Sequence, residues 1–299
     1  MANDFTERIN FDDAISRNKL KSFALIVVIF LVFLLLGYVI SMAYGGGSFF
    51  VIMILAIIFS VGYILVSYYN SDKIALYSVN ATPAKRSDYP MYYNLVEGLT
   101  IASGLPMPKL YVMKNDQINA FATGRDPQHS VICVTSGALQ RLNKQELEGV
   151  LGHELSHVAN YDIRFMTLAA VMVGMIAIIS EIFLRSLWFR SSDDRKDGGS
   201  AVFMIIGIIL AILAPIAVQL VQLAISRKRE FAADASSVKF TRYPPGLIHA
   251  LEKIKNDQPM KVNKAVSSLF MSDPFRRKVA GMLSTHPPVD ERISLLKKM

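Results

Sequence analysis

The sequence predicts a mainly α membrane protein, with about four transmembrane helices and an α+β domain assembled from the polar segments around them. Three observations predict it. Of 299 residues, 52% are hydrophobic and 19% charged, and the mean hydropathy of +0.35 is too apolar for an ordinary soluble domain. Four apolar runs stand at residues 23–40, 49–69, 165–180 and 201–225. The remaining segments, residues 73–164 and 227–299, carry the patterning of short helices and a few strands.

The first two runs, "FALIVVIFLVFLLLGYVI" and "FFVIMILAIIFSVGYILVSYY", contain no charge. Each is long enough to cross a hydrocarbon core of about 30 Å at a helical rise of about 1.5 Å per residue. The uncharged "SMAYGGGS" between them reads as a tight external turn. A cleaved signal peptide is the alternative for the first run, but its apolar core is too long and a second span follows at once. Arg8, Arg17, Lys19 and Lys21 precede the hairpin and Lys73, Lys85 and Arg86 follow it, while the turn has no Lys or Arg; both ends should therefore face the cytoplasm.

The third run reaches spanning length only if Glu181 is tolerated near its end, and the fourth contains Pro215, Gln219 and Gln222. The alternative is a pair of helices buried in the protein or lying partly in the membrane. Arg185, Arg190, Arg195 and Lys196 sit in the intervening loop against the positive-inside trend, partly offset by Asp193, Asp194 and Asp197. The division expected is a transmembrane hairpin over 1–72, a first domain part over 73–164, a second membrane hairpin over 165–226 and a second domain part over 227–299. A net charge of +8 invites nucleic acid, yet no basic cluster is interleaved with stacking aromatics, so nucleic acid is set aside as a partner. The single Cys133 excludes an intrachain disulfide and fits a reducing compartment.

Chemistry concentrates in "NKQELEGVLGHELSHVAN", residues 143–160. Asn143 is a plausible N-cap with Glu146 three residues on, and Leu147, Val150, Leu151, Leu155 and Val158 recur at helical spacing. On that helix His153 and His157 stand one turn apart on one face. Two neutral imidazoles so placed can bind one Zn²⁺, and Glu154 beside them can take a proton from the attacking water. The plainer alternative is two ordinary helical histidines, but the chain has only five.

A hydrolytic zinc site needs a third protein ligand. Cys133 would bring a thiolate, uncommon in zinc hydrolases of this motif; His129 and His249 lie in polar or loop-like contexts. In "SRKREFAADASS" Glu230 and Asp234 share a helix face, so Glu230 could bind the metal while Asp234 accepts a hydrogen bond from a liganding imidazole. A solvated helix following a membrane segment explains the same spacing.

Three motifs in order, "HELSHVANYD", "SRKREFAAD" and "STHPPVDER", with two apolar runs between the first and second, make the chain similar to the HtpX family of bacterial membrane zinc proteases, relatives of the prenyl-protein (CAAX-type) endoproteases. The resemblance covers nearly the whole chain. It implies a zincin-like α+β catalytic domain, one Zn²⁺ on His153, His157 and Glu230, and catalysis by Glu154. It also implies a multi-pass protease of the bacterial cell (inner or plasma) membrane, facing the cytoplasm, that cleaves misfolded or damaged membrane proteins. In such proteases the segment matching "INAFATG" is an edge strand on which substrate adds as another strand, here Asn119, Ala120, Phe121 and Ala122; without the family it reads as a plain buried strand. His286 is the family's other recurring histidine, implied to stabilise the oxyanion, and otherwise merely precedes a proline-started helix. A prenyl-protein endoprotease, whose chamber needs more spans, is one alternative function. A noncatalytic scaffold or transporter, with Glu181, Gln219 and Gln222 lining a path, is the other.

His157 and Glu230 can share an ion only from the same side of the bilayer, so the chain between them must cross it an even number of times. In a Cys133→Ser background, an impermeant thiol reagent on intact cells should modify a cysteine placed at Ser192 and spare one at Ser236. Labelling at Ser236 from outside would reverse the orientation, and protection at Ser192 would mean that neither apolar run crosses.

Overall fold

The computed structural model describes residues 11–44, 48–170, 227–260, 262, 266, 269–272 and 287–299. The third apolar run beyond residue 170, the fourth run and His286 lie outside the described residues.

Two long helices open the chain, α1 at Phe11–Tyr44 and α2 at Ser48–Ser78. Within them Asn18–Leu35 and Phe49–Ser78 are long and apolar enough to cross a membrane. They pack on each other through Phe33, whose ring meets Phe59 at 5.4 Å and Tyr63 at 4.9 Å edge to face. Their outer faces expose Phe23, Leu31, Leu35, Phe50, Ile54, Ile58 and Val66, a surface that only lipid or another apolar face suits. Within them Ser41 Oγ donates to Tyr38 O and Ser60 Oγ to Ile57 O, each three residues back, which satisfies these two hydroxyls inside their own helices.

α2 does not stop at the membrane. A break in helical geometry at Asn70 (φ −121°, ψ 15°) follows the last tyrosines of the apolar run, and the helix continues so that Ala75, Leu76 and Val79 pack under the sheet. The expected boundary at residue 72 thus falls inside one helix.

The sheet has four strands: β1 (Thr82–Pro83), β2 (Lys109–Met113), β3 (Ala120–Gly124) and β4 (Ser130–Thr135), in spatial order β1-β2-β4-β3. β2 runs parallel to β4, and β3 runs antiparallel to it at the edge. The few strands that the patterning of residues 73–164 predicts are thus joined in one sheet. β3 and β4 are buried along their whole length because helices cover both faces there, whereas the two residues of β1 are exposed. α3 (Pro90–Ser103), α4 (Ser136–Arg141) and α5 (Lys144–Ala159) lie between and after the strands. One face packs Ala120, Ala122, Ile132 and Val134 on α3 and α5; the other packs Phe121, Val131 and Cys133 on the end of α2 and on Phe270.

α5 starts as the sequence predicts. Asn143 Oδ1 accepts from Glu146 N at 2.9 Å and Glu146 Oε2 accepts from Asn143 N at 2.8 Å, a reciprocal capping box. After a turn at Asn160 and Tyr161, a further helix, α6, is described over residues 162–170; it docks Phe165, Leu168 and Ala169 against Leu25 and Ile29 of α1. The expected boundary at residue 164 therefore also falls within a helix. The remaining helices are α7 (Arg227–Thr241), α8 (Pro244–Lys255) and α9 (Val289–Leu296).

Glycine lets α7 and α8 approach α5 closely. A Cβ at Gly149 would stand 2.6 Å from Leu247 N, and one at Gly152 would stand 2.9 Å from Ser237 Oγ. Ser237 Oγ donates to Gly149 O at 2.7 Å across the same contact. This approach fixes Glu230 and Asp234 of α7 beside the histidines. Ser236 is only 6% exposed, so the inner thiol reporter belongs at the exposed Lys239 on the same helix.

Gly149→Ala must push backbone against backbone and should destabilise the fold by about 1–3 kcal/mol. Gly98→Ala, on an exposed face of α3 with nothing within 4 Å of the added carbon, should stabilise it by about 0.5–1 kcal/mol. Thermal unfolding of both variants in detergent checks the opposite signs.

Candidate metal centre

His153 and His157 are 0% and 5% exposed, with their rings at 4.9 Å and nearly perpendicular. Each Nδ1 is held by a carboxylate: Asp234 Oδ1 lies 2.9 Å from His153 Nδ1, and Asp162 Oδ2 lies 3.0 Å from His157 Nδ1. A carboxylate accepts, so each Nδ1 carries the proton and each neutral ring offers its Nε2 lone pair. The two Nε2 atoms face each other at 3.3 Å. Glu230 completes the group, with Oε2 3.7 Å from His153 Nε2 and Oε1 3.6 Å from His157 Nε2. All the potential ligand atoms lie within 4.8 Å of one another, and all three residues are buried.

This arrangement fits a divalent cation on two grounds. Three donors of the types that bind zinc converge on one point. In addition, Glu154, Asp162, Glu230 and Asp234 are each 2% exposed or less, and among the described residues the cations facing them include Arg292, 1% exposed, and Arg229. A doubly charged ion at this point would offset the negative charge that so many buried carboxylates bring together. Glu154 Oε1 is buried with no hydrogen-bond partner among the described residues, as suits a base awaiting a substrate proton.

Without the ion, protons offset that charge. Burial pulls the His157 imidazole down, but its hydrogen bond to Asp162 and the charges of Glu230 and Glu154 outweigh this and push it up to about 9. Burial pushes the Glu154 carboxyl up to about 7, with Glu230 adding and His157, the Ala122 N–H and Arg292 opposing. His153 moves the other way, lowered by burial and by Arg292 despite Asp234.

Of the third-ligand candidates, Glu230 is the one brought to the histidines. Cys133 lies in the core beside Phe121; His129 is exposed with Nδ1 on Asp126 at 2.7 Å; and His249 is exposed on α8. Asp234 holds His153, as its spacing allowed. Two partners escaped the sequence reading. Asp162 lies five residues beyond His157, past the helix end. Arg292 donates to Asp234 Oδ2 from Nε at 2.8 Å and to Oδ1 from Nη2 at 2.6 Å. Its signal was present: Val289, Arg292, Ile293 and Leu296 share one helix face, and a charge amid that apolar stripe marks a buried partner.

Asn119, Ala120, Phe121 and Ala122 stand next to this centre. Asn119 pairs with Thr135 of β4, so by strand alternation the backbone groups of Ala120 and Ala122 turn away from β4 to the outer edge. The Ala122 N–H reaches the Glu154 carboxylate, and Ala120 O accepts from Met271 N at 2.9 Å. Asn119 is 1% exposed, with its amide committed to Ser272 and Ala120; it shapes the edge from inside. Asp257 fixes the entry to the strand, accepting from Ile118 N at 2.6 Å and from Arg141.

Because the raised imidazole is protonated below about pH 9 and coordination needs its bare nitrogen, metal affinity should rise with pH through the range 6–9. Chelator competition at several pH values measures this. A flat profile would mean that His157 binds no ion.

Sequence comparison agrees with this geometry. The profile of Peptidase family M48 matches residues 92–299, which hold all the residues of the centre. "Protease HtpX homolog" of Thermoanaerobacter pseudethanolicus is 41% identical over 290 residues, covering 95% of this chain and 96% of that protein. The homologue of Dictyoglomus thermophilum is 42% identical over 291 residues, 97% of this chain and 95% of that one, and that of Lactobacillus helveticus is 42% identical over 299 residues, 95% and 98%. The crystal structure of S. mikatae Ste24p aligns with a TM-score of 0.48 at 21% identity, over 95% of this chain and 66% of that one. With a buried two-histidine, one-glutamate group beneath an apolar helical hairpin, and relatives matched nearly end to end, the chain belongs to peptidase family M48, among the HtpX-type membrane metalloproteases.

Proposed function

We propose that the protein is a zinc-dependent endopeptidase of the bacterial cell membrane, multi-pass and with its catalytic domain facing the cytoplasm, that cuts misfolded or damaged membrane proteins as part of a stress response. One observation carries the reading: buried Glu154, with an oxygen to spare, stands next in sequence to His153 in a centre where His153, His157 and Glu230 converge. The ion assigned is Zn²⁺, one per chain, because two imidazoles and one carboxylate leaving a further position open is the donor set of hydrolytic zinc sites. When bound, it supplies the Lewis acidity that activates water and polarises the scissile carbonyl.

The protein's own groups do the rest. Glu154 takes the proton of the attacking water and delivers it to the leaving amine; a carboxyl pushed up to about 7 can both accept and release that proton near neutral pH. Asp162 and Asp234 keep both imidazoles oriented throughout. Substrate is assigned to the outer edge of β3 around Ala122, as an added strand whose scissile bond faces Glu154. Backbone pairing favours extended, unfolded chains and loose side-chain selectivity. His286 is assigned to the developing oxyanion. The two apolar helices favour membrane proteins as substrates by holding the site close to the bilayer. Membership of a peptidase family leaves the scaffold or transporter alternative without support.

Glu154→Gln should keep the metal and lower peptide cleavage by at least the ~10²–10⁴-fold typical of a lost general base. Zinc content and cleavage by the purified variant test the role, since full activity with zinc in place refutes it. Comparing the membrane proteomes of cells carrying the intact protein and this variant then tests the substrate class, whose members should accumulate only with the variant.

A further inference from the structure

We infer that Asn18, on the first membrane helix, is a positioning residue of the metal centre, holding His157 through Asp162. The inference rests on reading His153, His157 and Glu230 as a metal site. Asn18 opens the stretch Asn18–Leu35 that is long and apolar enough to cross the bilayer, yet it is 3% exposed and faces the protein. Its Nδ2 donates to Asp162 Oδ1 at 2.7 Å and to Asn160 O at 3.0 Å. Its Oδ1 accepts from Arg229 Nη1 at 3.3 Å, and that guanidinium nitrogen lies 3.5 Å from Asp162 Oδ1. The other oxygen of Asp162 is the one that holds His157 Nδ1. One carboxylate is thus divided between a metal-facing imidazole and the membrane helix.

The backbone at this point needs a clamp. To bring Asp162 back beneath His157, the chain leaves α5 at Asn160 and passes through Tyr161 at φ 57°, the left-handed region that a bulky residue seldom adopts. Asn18 bonds the residue on either side of that turn. Its neighbour Lys19 lies over the Tyr161 ring at 4.8 Å from the centroid. Docking α1 on the domain does not require these bonds, because Leu25, Ile29 and Phe33 already pack on Phe165 and Leu168. What the amide adds is direction: two donors fixed on two acceptors across a strained turn, which orients the carboxylate and through it the ring. The hairpin is then part of the metal site as well as an anchor.

The test is cobalt binding to the full chain in detergent, by chelator competition and by the visible absorption of bound Co²⁺, for the wild type and for Asn18→Ala, Asn18→Asp, His153→Ala and, as a control, Asn94→Ala on exposed α3. Asn18→Asp keeps the side-chain shape but loses both donors. Both Asn18 variants should bind cobalt about tenfold more weakly, the lower end of the ~10–100-fold typical of residues that orient a ligand, with an altered absorption band, while Asn94→Ala matches the wild type. Cobalt binding by Asn18→Asp with wild-type affinity and spectrum overturns the inference. An independent readout needs no variant: cobalt should slow amide hydrogen exchange around residues 16–22 more than in α3, and equal slowing, or none around Asn18, overturns it too. Failure of the wild type to take up cobalt, or uptake by His153→Ala at wild-type affinity, instead refutes the metal centre itself.

Discussion

The constraint on which the structure depends is the burial of four carboxylates around two imidazoles. Charges taken out of water are tolerable only when paired and hydrogen-bonded, and these are supplied from separate parts of the chain. Glu154 comes from α5, Asp162 from the first residue of α6, Glu230 and Asp234 from α7, and the compensating Arg292 from α9. No single element could bury its own charge alone. The group forms only when α7 lies against Gly149 and Gly152 and α9 closes over Asp234, so assembling the fold and assembling the site are one event. The two imidazoles are also made unequal. Burial and the Arg292 charge lower His153 despite its bond to Asp234; burial would lower His157 too, but Asp162, Glu230 and Glu154 outweigh it and raise the ring.

How much of this is legible in the sequence follows the range of each interaction. The HExxH helix, its capping box and the facing of His153 and His157 depend on residues within one or two turns, and all stand where local spacing put them. The apolar hairpin is legible because a membrane imposes length and composition directly. Glu230 and Asp234 were legible as a helix face, but spacing alone could not say that the face meets α5; that depends on two glycines that leave room for it. Asp162 and Arg292 were passed over although both lie inside quoted motifs, since their partners are set by how helices cross and not by period. Composition changes at residues 72 and 164, but helical geometry does not: each of those positions lies inside a helix, α2 and α6.

The edge strand shows how the metal centre and the place assigned to substrate are joined. Arg292, besides its two bonds to Asp234, donates from Nη1 to Met271 O at 3.2 Å, and Met271 N donates to Ala120 O. A continuous hydrogen-bonded path therefore runs from His153 through Asp234, Arg292 and Met271 to β3. The Ala122 N–H lies on the Glu154 carboxylate from the other side. Moving β3 outward would strain the partner of a metal-facing imidazole as well as the base, so strand and centre must shift together or not at all. That coupling gives Glu154 and the outer edge of β3 a common frame. The same logic holds at the membrane end, where Asn18 and Lys19 grip the turn before Asp162. A site whose two imidazoles are oriented from opposite ends, one through α9 and one through α1, is held in register with both the sheet edge and the bilayer.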